Sequence, residues 1–149
     1  MTISQTTCDS YKTELLLGIH AFGTTVVRAA TTADVFKIAL YSSTATLDSS
    51  TTVYSVTNEI TGTGYSAGGK ILTISPAPAV SSNTAFLSFS SAIWTSASFT
   101  AAGALIYNSS QGDKAVAVLS FGGNKTVTSN SFTIVFPAAD YTNAIIRVE

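Results

Sequence analysis

Two apolar runs meeting across a polar turn constrain this chain more than any other feature. Within residues 103–123, Ala104-Leu105-Ile106-Tyr107-Asn108 is followed by Ser109-Ser110-Gln111-Gly112-Asp113 and then by Lys114-Ala115-Val116-Ala117-Val118-Leu119-Ser120-Phe121. An apolar run, a Gly/Asp-containing turn and a second apolar run predict a β-hairpin. In the second run Val116 and Val118 point one way and Ala115, Ala117, Leu119 and Phe121 the other. Both sets are apolar, so the strand needs cover on both faces and belongs inside a sheet, not at its edge. The hairpin is the expected core of a β-sandwich.

Around it the chain keeps a period of two. Phe36, Ile38 and Leu40 are expected to face inward, with Val35, Lys37, Ala39 and Tyr41 outward. Further strands are predicted over 24–29, 52–56, 71–75, 84–89, 92–95, 98–101, 130–136 and 144–148. Ala85, Leu87 and Phe89 form one inward set, and Phe132, Ile134 and Phe136 another. Residues 57–69 form a Gly-rich loop. Nine or ten short strands at regular spacing are the pattern of a sandwich or barrel. The expectation is an all-β antiparallel sandwich, jelly-roll-like, with one short N-terminal helix.

That helix is predicted from Ser10 through His20, with Tyr11, Leu15, Leu16 and Ile19 along its apolar stripe and Gly23 after its end. It is too short to stand alone and must dock on something. Residues 1–9 are polar except for Ile3 and read as an extended arm before a single domain, 10–149. Ile3, Tyr11 and Leu15 are the expected contacts with another subunit.

Charge narrows the function classes. Charged residues make up only 10% of the chain, less than half the usual share, and Ser and Thr take their place. A neutral, Thr-rich surface suits packing against protein, because few charges must be desolvated. The basic residues are scattered without a stripe, which argues against nucleic acid. The single Cys8 and single His20 argue against an internal disulfide and an all-protein Cys/His metal site. No leader-like or bilayer-length apolar run is present, so synthesis in a cytoplasm and no membrane contact are expected.

The motifs with chemical connotations are incomplete. Gly64-Tyr65-Ser66-Ala67-Gly68-Gly69-Lys70 begins a phosphate-binding loop, but Ile71 stands where magnesium needs a hydroxyl, and the following run reads as strand. The loop is expected to be flexible, with Lys70 at a solvated end. His20 reads as a dipole partner at a helix C-terminus. No Gly-x-Ser-x-Gly elbow marks a nucleophile, and no carboxylate pair stands out. Trp94 with Phe99, Tyr54, Tyr65 and Tyr107 forms either a carbohydrate platform or ordinary cross-strand packing, the second being the commoner arrangement. No catalytic residue, cofactor or small-molecule substrate is expected.

Several segments resemble a family of small virion proteins of tailed bacteriophages. They include Lys12-Thr13-Glu14-Leu15-Leu16 through His20, the run from Asp34 to Tyr41, and Asn58-Glu59-Ile60-Thr61-Gly62-Thr63-Gly64-Tyr65-Ser66-Ala67-Gly68-Gly69. Gly103-Ala104-Leu105-Ile106-Tyr107-Asn108, Lys114-Ala115-Val116-Ala117-Val118-Leu119, Asn124-Lys125-Thr126-Val127 and Ala144-Ile145-Ile146-Arg147 continue the likeness. The resemblance implies a structural component of the phage particle and carries over no functional residue. The expected role is a capsid decoration (cement) protein on the outer head surface. Its partners would be the major capsid protein and its own copies, as a trimer. The alternatives are a tail, collar or fibre-associated protein and, in a different class, a carbohydrate-binding module.

Overall fold

The computed structural model describes residues 2–16, 19–24, 33–82 and 84–148. The strand expected over 24–29 lies, beyond Thr24, outside the described residues. In chain order the elements are β1 (Thr6–Thr7), α1 (Asp9–Leu16), β2 (Phe36–Tyr41), β3 (Lys70–Ile71), β4 (Ala79–Ser81), β5 (Thr84–Leu87), β6 (Ala92–Asn108), β7 (Lys114–Ile134) and β8 (Ile146–Val148). They form a five-stranded sheet, β1-β7-β6-β2-β3, and a three-stranded sheet, β4-β5-β8. All pairings between strands are antiparallel, so the fold is all-β. Among the described strands this order does not trace a jelly roll.

The expected hairpin is the spine of the larger sheet. Asn108 pairs with Lys114 across the turn, and Leu105 with Val118. The arms run far beyond the predicted ends, to 17 residues in β6 and 21 in β7. Gly122 and Gly123, just past the expected end of the second run, lie inside β7 at φ 70° and 132°. They form part of a bulge, since Gly103 pairs with Ser120 but Ala101 with Lys125. Glycine adopts such angles without a Cβ clash, and a bulge bends a strand without ending it. A further shift between Ile106 and Tyr107 breaks the simple alternation of Ala115 and Val116, both of which are buried.

Register with β6 places Phe36, Ile38 and Leu40 on one face of the sheet with Ile106 and Ala104. Aromatic rings cover that face: Phe22 stacks on Phe36 with centroids 4.5 Å apart, and Phe89 lies 6.3 Å from Phe36. The small sheet and α1 close the same side, joined in one core through Tyr11, Leu87 and Ile146. The opposite face holds Ala39 and Tyr41, expected outside but fully buried. Among the described residues no second sheet covers them. The connection after β2 does, folding back so that Tyr41 Oη donates to the Ser55 carbonyl at 2.6 Å and Tyr54 stacks on Tyr107 at 4.6 Å.

The N-terminal segment does not form a free arm. Thr6 and Thr7 pair with Val118 and Ala117 of β7, Ile3 bridges to Leu47, and Cys8 is buried. Its polarity misled because an edge strand keeps one side in water, where Thr suffices. The helix ends at Leu16, short of the expected His20, and the Ile19 N–H returns to the Glu14 carbonyl at 3.0 Å. In β5, Leu87 is buried as expected and Phe89 follows it inward, but Ala85 is exposed.

Candidate functional site

The strongest concentration of polar groups lies under α1. His20 Nε2 meets Glu14 Oε2 at 2.9 Å, while His20 Nδ1 faces Asn108 Nδ2 at 3.1 Å. Asn108 Nδ2 also donates to Asp34 Oδ2 at 2.7 Å, and Asn108 Oδ1 accepts from the Ser110 N–H at 3.1 Å. Lys114 Nζ reaches the other Glu14 oxygen at 3.1 Å, and Gln111 Nε2 donates to Asp34 Oδ1 at 3.3 Å. The Ser110 bond orients the Asn108 amide so that its NH2 points at the ring. The ring must then accept at Nδ1 and donate from Nε2, which is the neutral tautomer. Burial first of all holds His20 below its ordinary value; Glu14 and Asp34 oppose this, and Lys114 adds slightly to it. Both ring nitrogens are engaged within the chain. The arrangement ties the helix, the turn of the hairpin and the entry to β2 into one unit.

A second polar centre pins the Gly-rich connection. Glu59 accepts from Tyr54 Oη at 2.6 Å, from Tyr65 Oη at 2.5 Å and from the Gly68 N–H at 2.8 Å. Tyr107 Oη donates to the Gly68 carbonyl at 2.7 Å, and Tyr65 Oη accepts from the Leu40 N–H at 2.9 Å. Burial, then the Glu59 hydrogen bond, raises the Tyr54 and Tyr65 phenols above their ordinary value, so both stay donors at neutral pH. The connection is therefore clamped rather than a loose loop. At Gly69 (φ +70°) a Cβ would lie 1.8 Å from the Ile38 carbonyl oxygen. Lys70 opens β3 and does not precede a helix. Lys70 is exposed, as expected of a solvated end, but its ammonium also bonds the Ile93 carbonyl and sits 5.7 Å over the Trp94 ring, so it links two strands.

The three residues expected at an interface separate. Tyr11 is only 2% exposed and packs edge-on to His20 at 5.0 Å, inside its own core and out of reach of a second subunit. With Leu15 it lines an apolar cleft of about 150 Å³ between α1 and the small sheet, closed on the other side by Phe22, Leu87, Ile146 and Val148. The Tyr11 hydroxyl is buried there without a hydrogen-bond partner among the described residues. Ile3 lies elsewhere, partly buried against the core where Gly103 leaves room for it. Trp94, Phe99 and Tyr107 are buried as well and form no exposed platform.

What remains open is the far half of the hairpin. Thr95, Thr100, Thr126, Thr128 and Thr133 are exposed, as is Ile93. Thr100 and Thr126 pair across the strands with their hydroxyls 2.8 Å apart. Sequence reading missed His20–Asn108 and Glu59 as centres. The available signals were an Asn closing an apolar run and an acid amid tyrosines. The chain matches no protein-family model, no curated protein and no solved structure.

Proposed function

We propose that this protein is a non-enzymatic structural component of a bacteriophage virion. Its most specific assignment is a capsid decoration protein that binds the major capsid lattice and its own copies on the outside of the head. The observation that carries the reading is the open, nearly chargeless Thr-bearing surface on the far half of the β6–β7 hairpin. Burying such a surface against protein requires little desolvation of charge, and β-branched side chains pack well across strands. The resemblance of the Gly-rich segment and the hairpin to phage virion proteins supplies the setting. A lattice also multiplies contacts, so each copy needs only modest affinity.

Quantifying the protein against the major capsid protein in purified particles tests the assignment. Near-stoichiometric copies are expected. A few copies per particle would move it to the tail, collar or fibre, and absence from particles would overturn the virion reading altogether.

A further inference from the structure

The larger sheet ends in an uncovered edge. β1 covers the outer side of β7 only at Ala117 and Val118, and residues 119–134 carry no strand on that side among the described residues. Thr126-Val127-Thr128-Ser129-Asn130-Ser131-Phe132-Thr133-Ile134-Val135 contains no charge and no proline. Of the devices that keep free edges apart, this run has only irregularities of register, one near Ser129, at φ 46°, and one opposite Ser96, at φ 51°. Beyond the second, a shift in register between Ala97 and Trp94, residues Phe132, Thr133 and Ile134 pair in step with Trp94, Ile93 and Ala92. Beside this stretch lies an open hollow of about 460 Å³ lined by Phe121, Lys125, Phe132, Thr133, Ile134 and Val135. A free edge next to an apolar hollow is the geometry of strand addition: backbone bonds hold the incoming strand and a side chain fills the hollow.

We infer that the edge over residues 130–134 pairs antiparallel with the same edge of a second copy across a two-fold axis, each Val135, at the rim of its own hollow, packing into the other's. The occupant follows from the molecule itself. Val135 is 75% exposed, more than any other large hydrophobic among the described residues, and directly follows β7 at the end of this edge. The sheet's terminal strands β1 and β3 are two residues long, too short to receive a head-to-tail neighbour. Val135 and the hollow lie together at the β7 edge, so this surface can match itself, and self-matching surfaces close by two-fold symmetry. Among the described residues that line the hollow Lys125 alone is charged, so two copies meet without a large cluster of like charge. The interface rests on the self-association part of the proposed function and not on the capsid lattice.

Sedimentation velocity on the full chain at micromolar concentration tests it, together with hydrogen exchange. The wild type is expected to be a dimer with protected amides over 130–134. Val135→Asp should weaken the dimer by at least about tenfold, remove that protection and leave the melting temperature of the monomer unchanged. Thr133→Lys, at another exposed edge position, should do the same. A monomeric or trimeric wild type, or undiminished dimer in both variants, overturns the interface. Particle incorporation is scored separately: a monomer still found in virions sinks the interface alone, and a dimer absent from virions sinks the virion reading alone.

Discussion

The near and far halves of the β6–β7 hairpin are one continuous pair of strands with opposite environments. In the near half every residue of β6 from Ala101 to Asn108 is buried, and residues 115–119 of β7 likewise. Beyond the Gly122–Gly123 bulge, β7 has a single buried residue, Val127. Thr replaces Val and Leu there, and one face meets water. The near half is enclosed by α1 and the small sheet on one side and the clamped connection on the other. Among the described residues the far half is covered on one face alone, where Tyr65 of the connection lies 5.9 Å from Phe99. A strand pair thus need not share one role along its length: the near half makes the core, and the far half presents a surface.

The largest expected effect breaks this comparison at its centre. Val118→Asp places a carboxylate where the side chain is fully buried. That should cost several kcal/mol, on the order of the whole stability of a domain this size. Thr128→Asp, on the far half of the same strand, should change stability by less than about 0.5 kcal/mol. Urea unfolding of both variants checks the contrast. Equal losses would mean that the far half is no more open than the near one.

Glycine offers a second contrast. Gly69 and Gly122 share a positive φ of 70°, yet a Cβ on Gly69 would collide with the Ile38 backbone, whereas one on Gly122 would meet nothing within 4 Å. Gly122→Ala should therefore carry only the conformational cost, about 1 kcal/mol. Gly69→Ala should exceed it by at least about 2 kcal/mol, because backbone must move. Similar melting temperatures for the two would show that the clamp around Glu59 is slack.

Legibility divided along the same line. The near half and its turn were readable because two apolar faces leave few alternatives, and residues 109–113 carry the turn chemistry. The far half was broken into pieces because its Thr and Ser positions carry no strong period, and paired glycines signal turns more often than bulges. Tyr41 was turned outward because alternation does not reveal that a distant connection returns to cover the second face. The polar tie was invisible for a related reason. His20 and Asn108 are 88 residues apart, and no local pattern links them. The polar N-terminus looked like an arm because a two-residue edge strand gives almost no periodic signal.

Acidification should act on the near half alone. His20 is held neutral there, below its ordinary value, first by burial; Glu14 and Asp34 pull the other way, and Lys114 assists. An unfolded histidine titrates near about 6.5, so between that value and the lower folded one the unfolded state binds the extra proton. Stability is therefore full above about pH 6.5 and falls as the pH drops toward the folded value. Thermal unfolding between pH 7.5 and 5 should show a steeper decline for the wild type than for His20→Gln. The imidazole resonance should titrate below the free value. Parallel pH profiles would mean that the ring is hydrated and the tie is open.

The smallest effect probes the outer face. Thr100 and Thr126 oppose each other across the far half with hydroxyls 2.8 Å apart. Both are exposed, so water competes for each hydroxyl and the net value of their bond is small. A double-mutant cycle with Thr100→Val and Thr126→Val should give a coupling near the lower end of the cross-strand range, about 0.2 kcal/mol. Each single change should stay within about 0.5 kcal/mol, since valine keeps the branched shape that suits a strand. The measurement belongs at a protein concentration low enough to keep the chain monomeric, where the face is wet. A coupling above about 1 kcal/mol there would mean that the hydroxyls meet in a dry setting. The far half would then be enclosed even in the single chain, and the contrast between a sealed core and an open surface would be lost.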